Sequence, residues 1–173
     1  DGSEWLAPGA GPTASTVVID SSGAVHIVHA TQASDAAAVP TSRGTAWAFQ
    51  SYPTLLRGGE VPFELRAPSR GIDVEHRDAR AAIGVASDGR LIVALTRFDA
   101  LGPTLGFVPF GLTTPEMAAV MGALGARDAV MLDGGISSQM MLRDAADQPH
   151  TWHGARSVPL ALAGSTPRQY FAR

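Results

Sequence analysis

The chain has 173 residues, of which 45% are hydrophobic and 17% are charged, which is the size and composition of a single globular domain. Its formal net charge of -3 offers no clustered positive charge, so no nucleic-acid partner is expected. Cysteine is absent, which excludes disulfides, thiolate catalysis and cysteine-bound zinc. The sequence contains no run of about 18 apolar residues, so no membrane span is expected, and no signal peptide opens it.

The N-terminal part of the chain predicts a β-hairpin. Residues 16–19 and 24–29 are rich in β-branched side chains and flank a turn sequence that contains glycine, a pattern typical of paired strands. The Ala- and Ser-rich stretch from 31 to 43 has weak periodicity and contains Pro40, which favours a loop. A further strand is predicted at 45–51.

A second hairpin and a helix follow. Residues 81–86 and 91–96 flank Asp88-Gly89, and an Asp-Gly pair supplies the positive φ angles of a tight turn. The helix begins after Thr113, which is followed closely by a proline and a glutamate, both suited to the first helical turn. It is predicted to end near Gly125. One face is apolar and is expected to pack in the core; it comprises Met117, Val120, Met121 and Leu124.

The last predicted elements lie on either side of a glycine pair. Residues 129–132 predict a short buried strand, and Ser137 predicts the start of a short helix through residues 140–142. Strands before and after one well-marked helix indicate an α+β fold with a mixed, largely antiparallel sheet packed with a few helices. Since no repeat or low-complexity segment marks a linker, we predict a single domain over residues 1–173.

The segment between these two elements carries the clearest chemistry. Asp133 follows the strand, Gly134 and Gly135 form a turn, and the hydroxyls of Ser137 and Ser138 come next. Backbone amides of a glycine turn approach ligands closely, and together with the hydroxyls they suit a phosphate group or sugar hydroxyls. The local pattern is equally compatible with a structural interpretation, in which the aspartate caps a turn and the first serine caps a helix.

Four segments carry motifs that occur together in one known family. Gln50-Ser51-Tyr52-Pro53 is similar to a Gln-Ser-Gly-Pro turn, and Arg80-Ala81-Ala82-Ile83-Gly84 to an Arg-Thr-Ala-Ile-Gly strand. Leu132 to Ser138 matches Leu-Asp-Gly-Gly-x-Ser-Ser, and Arg156-Ser157-Val158-Pro159 is similar to an arginine-containing strand. In this order, the four segments resemble the phosphodiester glycosidase family over roughly residues 45–163.

The sequence departs from the family's pattern at several points. Tyr52 replaces the usual glycine, Ala81 replaces threonine, Ile136 replaces a third glycine and Gln139 replaces threonine. The Asn-Gly-Gly-Phe segment that usually begins the family domain does not occur in this sequence. We expect that segment either in a truncated or cleaved part of the protein or in a second chain, unless this member has diverged to a binding role.

The resemblance implies a hydrolase that releases the sugar from a small-molecule or polymeric glycosyl phosphodiester. Asp133 is then a nucleophile, a general base or a carboxylate that orients the sugar. Arg80 and Arg156 are expected to clamp the phosphate, because a planar guanidinium matches its geometry and stays charged. The alternative for each arginine is an ordinary ion pair. Residues expected to bind substrate are Gln50, Ser51, Gly134, Gly135, Ser137 and Ser138.

A second carboxylate can come from the charged stretch before Arg80. Asp73, Glu75 and Asp78 lie there, and their alternative role is a solvated loop. No cofactor is expected by default, because a phosphate monoester departs readily and charge neutralisation can replace a strong general acid. A divalent cation held by acidic residues stays an alternative.

The histidines do not favour a metal site. His26 and His29 are three apart, so they are expected to point to opposite sides of a strand. His150 and His153 flank Trp152 in a predicted loop. The tryptophan is expected either to pack partly buried or to stack on a sugar ring.

The resemblance places the protein in a bacterial envelope, in the periplasm or outside the cell, where glycosyl phosphate polymers occur. An alternative function is a catalytically weak carbohydrate-binding or exopolysaccharide-assembly domain. A further alternative is a structural domain of a larger envelope protein, in which the glycine turn serves only the fold.

Overall fold

The computed structural model describes residues 14–29, 45–67, 74–97, 111–158 and 161–164. The loop predicted at 31–43 and Asp73 lie outside these ranges. In chain order the elements are β1 (Ser15–Asp20), β2 (Val25–His29), β3 (Thr45–Ser51), β4 (Thr54–Leu56), α1 (Phe63–Arg66), β5 (Arg80–Ala86), β6 (Leu91–Thr96), α2 (Thr114–Ala123), β7 (Ala126–Leu132), a 3-10 turn (Gly135–Ser137), β8 (Met140–Arg143) and β9 (Pro149–Trp152).

The described strands form three antiparallel sheets. The strand orders are β2-β1-β3, β4-β7-β5-β6 and β8-β9. With α2 packed on the four-stranded sheet, this arrangement confirms the predicted α+β class and its largely antiparallel character. In the described part of the chain, no helix has the length and apolar character needed to cross a membrane.

Both predicted hairpins are confirmed. β1 pairs with β2 through a turn in which Gly23 has φ 85°, and β5 pairs with β6 through a turn in which Gly89 has φ 84°. Glycine reaches these positive φ angles without the steric cost that a side chain would add. In the first turn, hydrogen bonds from Ser22 and then from His26 lower the pKa of Asp20 to about 2. The strand predicted at 45–51 is β3.

Helix α2 covers one face of the four-stranded sheet. Its buried Met117 and Met121 pack against Leu55 on β4 and Ala82 on β5. Leu124, which we expected on the same face, is instead exposed at the helix C-cap, because the helix ends before that residue can turn inward. These apolar contacts fix the helix against the strands whose ends carry the candidate site.

A capping box begins α2. The Thr113 side chain accepts a bond from the Glu116 amide at 3.3 Å, and the Glu116 carboxylate accepts one from the Thr113 amide at 2.8 Å. We expect Thr113→Ala to lower the free energy of unfolding by about 1 kcal/mol, measured by urea titration. Thr113→Ser keeps the hydroxyl and is expected to retain most of the stability. Equal losses in both variants would contradict a capping role.

Three local predictions near the C-terminus differ from the structure. β7 begins at Ala126, three residues before the predicted start, because it pairs along its length with β5. The helix predicted through residues 140–142 is strand β8, paired with β9. β9 also replaces the loop that we expected around Trp152. Pairing between β8 and β9 outweighs the helix propensity of the Met-Met-Leu sequence, because propensity is a weak constraint against tertiary contacts.

A buried polar network joins the two larger sheets. Ser15 Oγ on β1 lies 2.8 Å from His29 Nδ1 and 2.6 Å from Thr54 Oγ1. His29 Nε2 lies 2.9 Å from Asp128 Oδ1 on β7. The order Ser-His-Asp suggests a nucleophile, but Ser15 is fully buried, so a substrate cannot reach its hydroxyl. The network therefore serves to hold the sheets together.

This network makes stability depend on pH. Burial lowers the pKa of His29, and Asp128 offsets part of that decrease. Below the ordinary histidine pKa of about 6.5, the unfolded chain therefore binds a proton at His29 more readily than the folded protein does. We expect the free energy of unfolding to fall as the pH drops through this value, until His29 in the folded protein is itself protonated.

Urea unfolding at about pH 7.5 and 5.5, on either side of that pKa, measures this effect. His29→Gln is expected to remove this part of the pH dependence. His26→Gln, at a more exposed position on the same strand, is expected to keep it. An unchanged pH dependence in His29→Gln would contradict the assignment.

Candidate functional site

The ends of several strands meet at one edge of the four-stranded sheet. Ala81 pairs with Leu132, and Arg80 pairs with Thr96, so Asp133 leaves β7 where β5 begins and β6 ends. We call this the Asp133 edge. The end of β3 lies near it, because Ser51 Oγ donates to the carbonyl oxygen of Met131 at 2.5 Å. Three of the four segments that resemble family motifs therefore converge here.

The fourth segment reaches the same edge through an ion pair. Arg156 Nη2 lies 3.7 Å from Asp133 Oδ2, and these side chains are 62% and 71% exposed, respectively. Arg156 lies in an irregular segment after β9 instead of the strand suggested by the resemblance. The adjacent Ala155 amide donates to the Ile136 carbonyl at 2.8 Å and ties that segment to the glycine turn. Such an exposed pair costs little to open, so a substrate can compete for either partner.

Close packing requires glycine at position 134, and the backbone conformation favours it at position 135. A Cβ at Gly134 would lie 2.8 Å from the carbonyl oxygen of Ala79. Gly135 has φ 61°, and a Cβ there would lie 2.7 Å from Asp78 Oδ2. The turn thus lies directly against the segment that leads into β5. The two glycines therefore have a structural role in the fold, as the structural interpretation of the motif expects.

Several amides of this turn are already bonded within the protein. Gly135 donates to the Ala79 carbonyl at 2.8 Å, and Ser138 donates to the Gly135 carbonyl at 3.1 Å. The predicted start of a helix at Ser137 is wrong, because that residue ends a 3-10 turn. Ser137 and Ser138 are both buried. Among the described residues, no partner lies within hydrogen-bonding distance of Ser138 Oγ.

Arg80 makes two bonds to the main chain. Its Nε donates to the Leu112 carbonyl at 2.9 Å and its Nη2 donates to the His76 carbonyl at 2.5 Å. Leu112 in turn forms an isolated antiparallel bridge with Asp78. These bonds fix the guanidinium against two main-chain carbonyls and connect the start of β5 to the segment before α2. The phosphate contact predicted for Arg80 remains a prediction.

Gln50 and Ser51 end strand β3. Gln50 is exposed and pairs in register with Thr16 of β1. Ser51 uses its hydroxyl proton to hold β3 to β7, which leaves its oxygen able to accept a bond. Their predicted contacts with substrate remain predictions.

Arg97 was not predicted from the sequence as a site residue. Its Nη1 donates to the carbonyl of His153 at 2.5 Å, which anchors the end of the β8-β9 hairpin near Arg156. The strand register supplies the signal that would have found it, since Arg80 pairs with Thr96 and Arg97 follows directly. Arg97 therefore belongs to the Asp133 edge.

The charged residues before β5 make different contacts. Arg77 turns to Glu116 of α2, with Nη2 2.6 Å from Oε1, and Glu75 is exposed. Asp78 instead lies against Gly135, with Oδ2 3.8 Å from His76 Nε2. Of the acids considered for a second carboxylate, Asp78 is therefore the one that lies against the glycine turn in the described structure.

His26 and His150, the first members of the sequence's two histidine pairs, have separate acidic partners. His26 lies 3.2 Å from Asp20, and His150 lies 2.9 Å from Asp144. Within the residues that the structure describes, no group of three or more His, Asp or Glu side chains could hold a metal ion. The His150 and Trp152 rings are near parallel, with centroids 6.5 Å apart.

Three solved structures resemble this fold. The catalytic domain of zebrafish N-acetylglucosamine-1-phosphodiester alpha-N-acetylglucosaminidase, auto-inhibited by its pro-peptide, is 18% identical with a TM-score of 0.53, over 73% of this chain and 41% of that chain. A hypothetical protein from Synechocystis is 20% identical with a TM-score of 0.39, over 74% and 29%. A putative exported protein from Burkholderia pseudomallei is 24% identical with a TM-score of 0.37, over 75% and 34%.

The chain thus spans less than half the length of each of these structures. None of the curated protein sequences matches it. The sequence profile of the phosphodiester glycosidase family matches residues 7–163, which includes all four motif segments. The chain therefore belongs to the phosphodiester glycosidase family.

Proposed function

We propose that the protein hydrolyses a glycosyl phosphodiester, breaking the bond between the anomeric carbon and a phosphate oxygen to release the sugar. The observation that carries this proposal is the exposed Asp133–Arg156 pair at 3.7 Å, at the same edge as Arg80. A carboxylate beside a guanidinium matches the two halves of the substrate, a sugar ring that becomes cationic and an anionic phosphate.

The phosphate is bound by arginine in this mechanism. When substrate enters, Arg156 exchanges its exposed carboxylate partner for phosphate oxygens, a contact that a planar guanidinium can make bidentately. Arg80 is held by main-chain carbonyls through Nε and Nη2, so it contributes a fixed positive charge. Charge neutralisation lets the phosphate monoester depart without full protonation, and the reaction needs no cofactor.

The sugar is bound beside Asp133. The exposed carboxylate stabilises the positive charge that develops at the anomeric carbon, attacks it or orients the ring. Gln50 and Ser51 at the end of β3 supply hydrogen bonds to sugar hydroxyls. Gly134 and Gly135 let the backbone come close to the ligand. The buried hydroxyls of Ser137 and Ser138 supply further polar groups for binding the substrate.

The substrate is a small-molecule or polymeric glycosyl phosphate, and we place the protein in the periplasm or outside a bacterial cell. This location accords with glycosyl phosphate polymers, which occur in and outside the bacterial envelope.

The test is sugar release by the full-length protein from a panel of sugar 1-phosphodiesters that includes UDP-N-acetylglucosamine. The controls are the matching sugar 1-phosphate monoesters and neutral methyl glycosides, which lack the phosphodiester. We expect release from at least one diester and a much slower reaction with the controls, with and without EDTA. Binding of the diesters by a folded protein without any release would overturn the proposal and favour the carbohydrate-binding alternative.

Arg156 should act through its planar fork as well as its charge. We expect Arg156→Ala to lower kcat/KM by roughly a hundredfold. Arg156→Lys keeps the charge but loses bidentate binding, so it should fall between wild type and the alanine variant. Arg143→Ala removes another exposed arginine that is paired with an aspartate and is expected to change little. Wild-type kinetics in Arg156→Ala would show that the phosphate is bound elsewhere.

A further inference from the structure

We propose that Asp78 is the second catalytic carboxylate, the general base for the water that attacks the anomeric carbon. This inference rests on the proposed function. Hydrolysis at an anomeric carbon commonly uses two carboxylates, and Asp133 supplies only one of them.

The backbone of Asp78 is fixed at a defined place. Its amide donates to the Leu112 carbonyl at 3.3 Å, and its carbonyl accepts from the Leu112 amide at 3.0 Å. Oδ1 of its carboxylate accepts from the Ala79 amide at 2.8 Å. One carboxylate oxygen is therefore used for positioning, and the other oxygen, Oδ2, is oriented as a result.

Oδ2 points at the glycine turn. A Cβ on Gly135 would lie only 2.7 Å from it, so the absence of a side chain at this position makes room for the carboxylate. Gly135 is two residues from Asp133, a length of chain that spans at most about 7 Å. The two carboxylates therefore flank one short turn, and glycosidases commonly use such a pair.

Charged groups around Asp78 leave a route for the proton. His76 Nε2 lies 3.8 Å from Oδ2, and the two side chains are 54% and 29% exposed, respectively. Arg80 fixes this histidine's segment by donating to its carbonyl. Arg77, the remaining neighbour in sequence, is paired with Glu116 of α2. The half-buried carboxylate can thus pass a proton to solvent, directly or through the exposed imidazole.

The chemical step balances with water as the only co-reactant. The water oxygen forms a bond to the anomeric carbon while its proton passes to Asp78 Oδ2. The bond from that carbon to its departing oxygen breaks, and the electron pair stays on that oxygen. The departing oxygen belongs to phosphate in a single displacement, or to Asp133 if a covalent intermediate has formed. Asp78 then releases the proton to solvent.

The test compares full-length wild type with Asp78→Asn, which keeps the Oδ1 acceptor for the Ala79 amide. We expect kcat to fall about 10² to 10⁴-fold and KM to change little. Asp88→Asn is the matched control, because Asp88 Oδ1 also accepts a backbone amide, from Arg90 at 3.1 Å, at the far end of the same hairpin. It should behave as wild type.

A second variant separates base catalysis from folding. Asp78→Ser keeps a short side-chain oxygen near the Ala79 amide, and added azide can attack the anomeric carbon without a base. We expect azide to accelerate Asp78→Ser and to yield a glycosyl azide, with no such product from Asp88→Asn. If Asp78→Asn does not fold, azide rescue of Asp78→Ser tests the role of Asp78 in its place. Absence of rescue in folded Asp78→Ser overturns the proposal.

The experiments distinguish a failure of the role of Asp78 from a failure of the proposed function. An active wild type whose Asp78→Asn variant retains its rate would refute the role of Asp78 alone. A folded wild type that is inactive on every diester would refute the proposed function, and the role of Asp78 with it.

Discussion

Asp133→Asn is expected to lower kcat/KM for sugar release by about a thousandfold, which corresponds to about 4 kcal/mol of transition-state stabilisation. Asparagine has nearly the same shape but carries no charge, so it can neither attack the anomeric carbon nor stabilise a cation there. The side chain is 71% exposed, and its loss of charge should therefore leave the fold intact. Steady-state kinetics on the best diester, with a thermal unfolding curve for each variant, measure both.

The chain offers a close control for this variant. Asp147 is 72% exposed and lies 3.5 Å from Arg143, so it too is an exposed aspartate with an arginine partner. Asp147→Asn should retain wild-type kinetics, since this residue lies in the turn between β8 and β9, outside the glycine motif. Equal effects of the two substitutions, or full activity in Asp133→Asn, would contradict a catalytic role for Asp133.

Gly111→Ala is expected to cause the largest loss of stability, at least about 3 kcal/mol, because overpacking against rigid atoms cannot be relieved by a rotamer change. A Cβ at this position would lie 1.9 Å from the carbonyl oxygen of Asp78 and 2.2 Å from its carbonyl carbon. The bridge between Asp78 and Leu112 must therefore open. Because Arg80 donates to the Leu112 carbonyl, the substitution should also lower activity in whatever protein still folds.

Gly122→Ala tests whether glycine replacement as such is harmful. It lies in α2, and a Cβ there would meet only Leu56 Cδ1 at 3.9 Å within 4 Å. Alanine is favoured over glycine in a helix by roughly 0.5 to 1 kcal/mol, so this variant should be as stable as wild type or more so. Urea unfolding compares the two, and a Gly111→Ala protein with wild-type stability would show that the bridge is not tightly packed.

The parts of the fold that were predictable are those determined locally. Asp88-Gly89 sets a turn whose positive φ only certain residues adopt, and Thr113 with Glu116 sets a capping box. Each signal lies within a few residues of the element that it specifies. The strand β8 was not predictable in this way, because its partner β9 decides between strand and helix, and the local sequence does not show that pairing.

The sequence predicts which residues belong to the candidate site better than it predicts the contacts that they make. The order of four motifs indicated Gln50, Arg80, Asp133 and Arg156, and the structure brings Arg80 and the Asp133–Arg156 pair to one edge. The bonds of Arg80 to two carbonyls were not visible in the sequence, since they depend on how the segment before α2 crosses the start of β5. The position of Asp78 against the glycine turn depends on the same crossing.

The most direct test of the central claim is the position of the bond that breaks. Hydrolysis of the best diester by the full-length protein in water labelled with heavy oxygen, followed by mass spectrometry of both products, locates that bond. Attack at the anomeric carbon, as proposed for the Asp133 edge, predicts the label in the released sugar and none in the phosphate. Label in the phosphate would mean attack at phosphorus and would contradict the assignment of this site as a glycosidase.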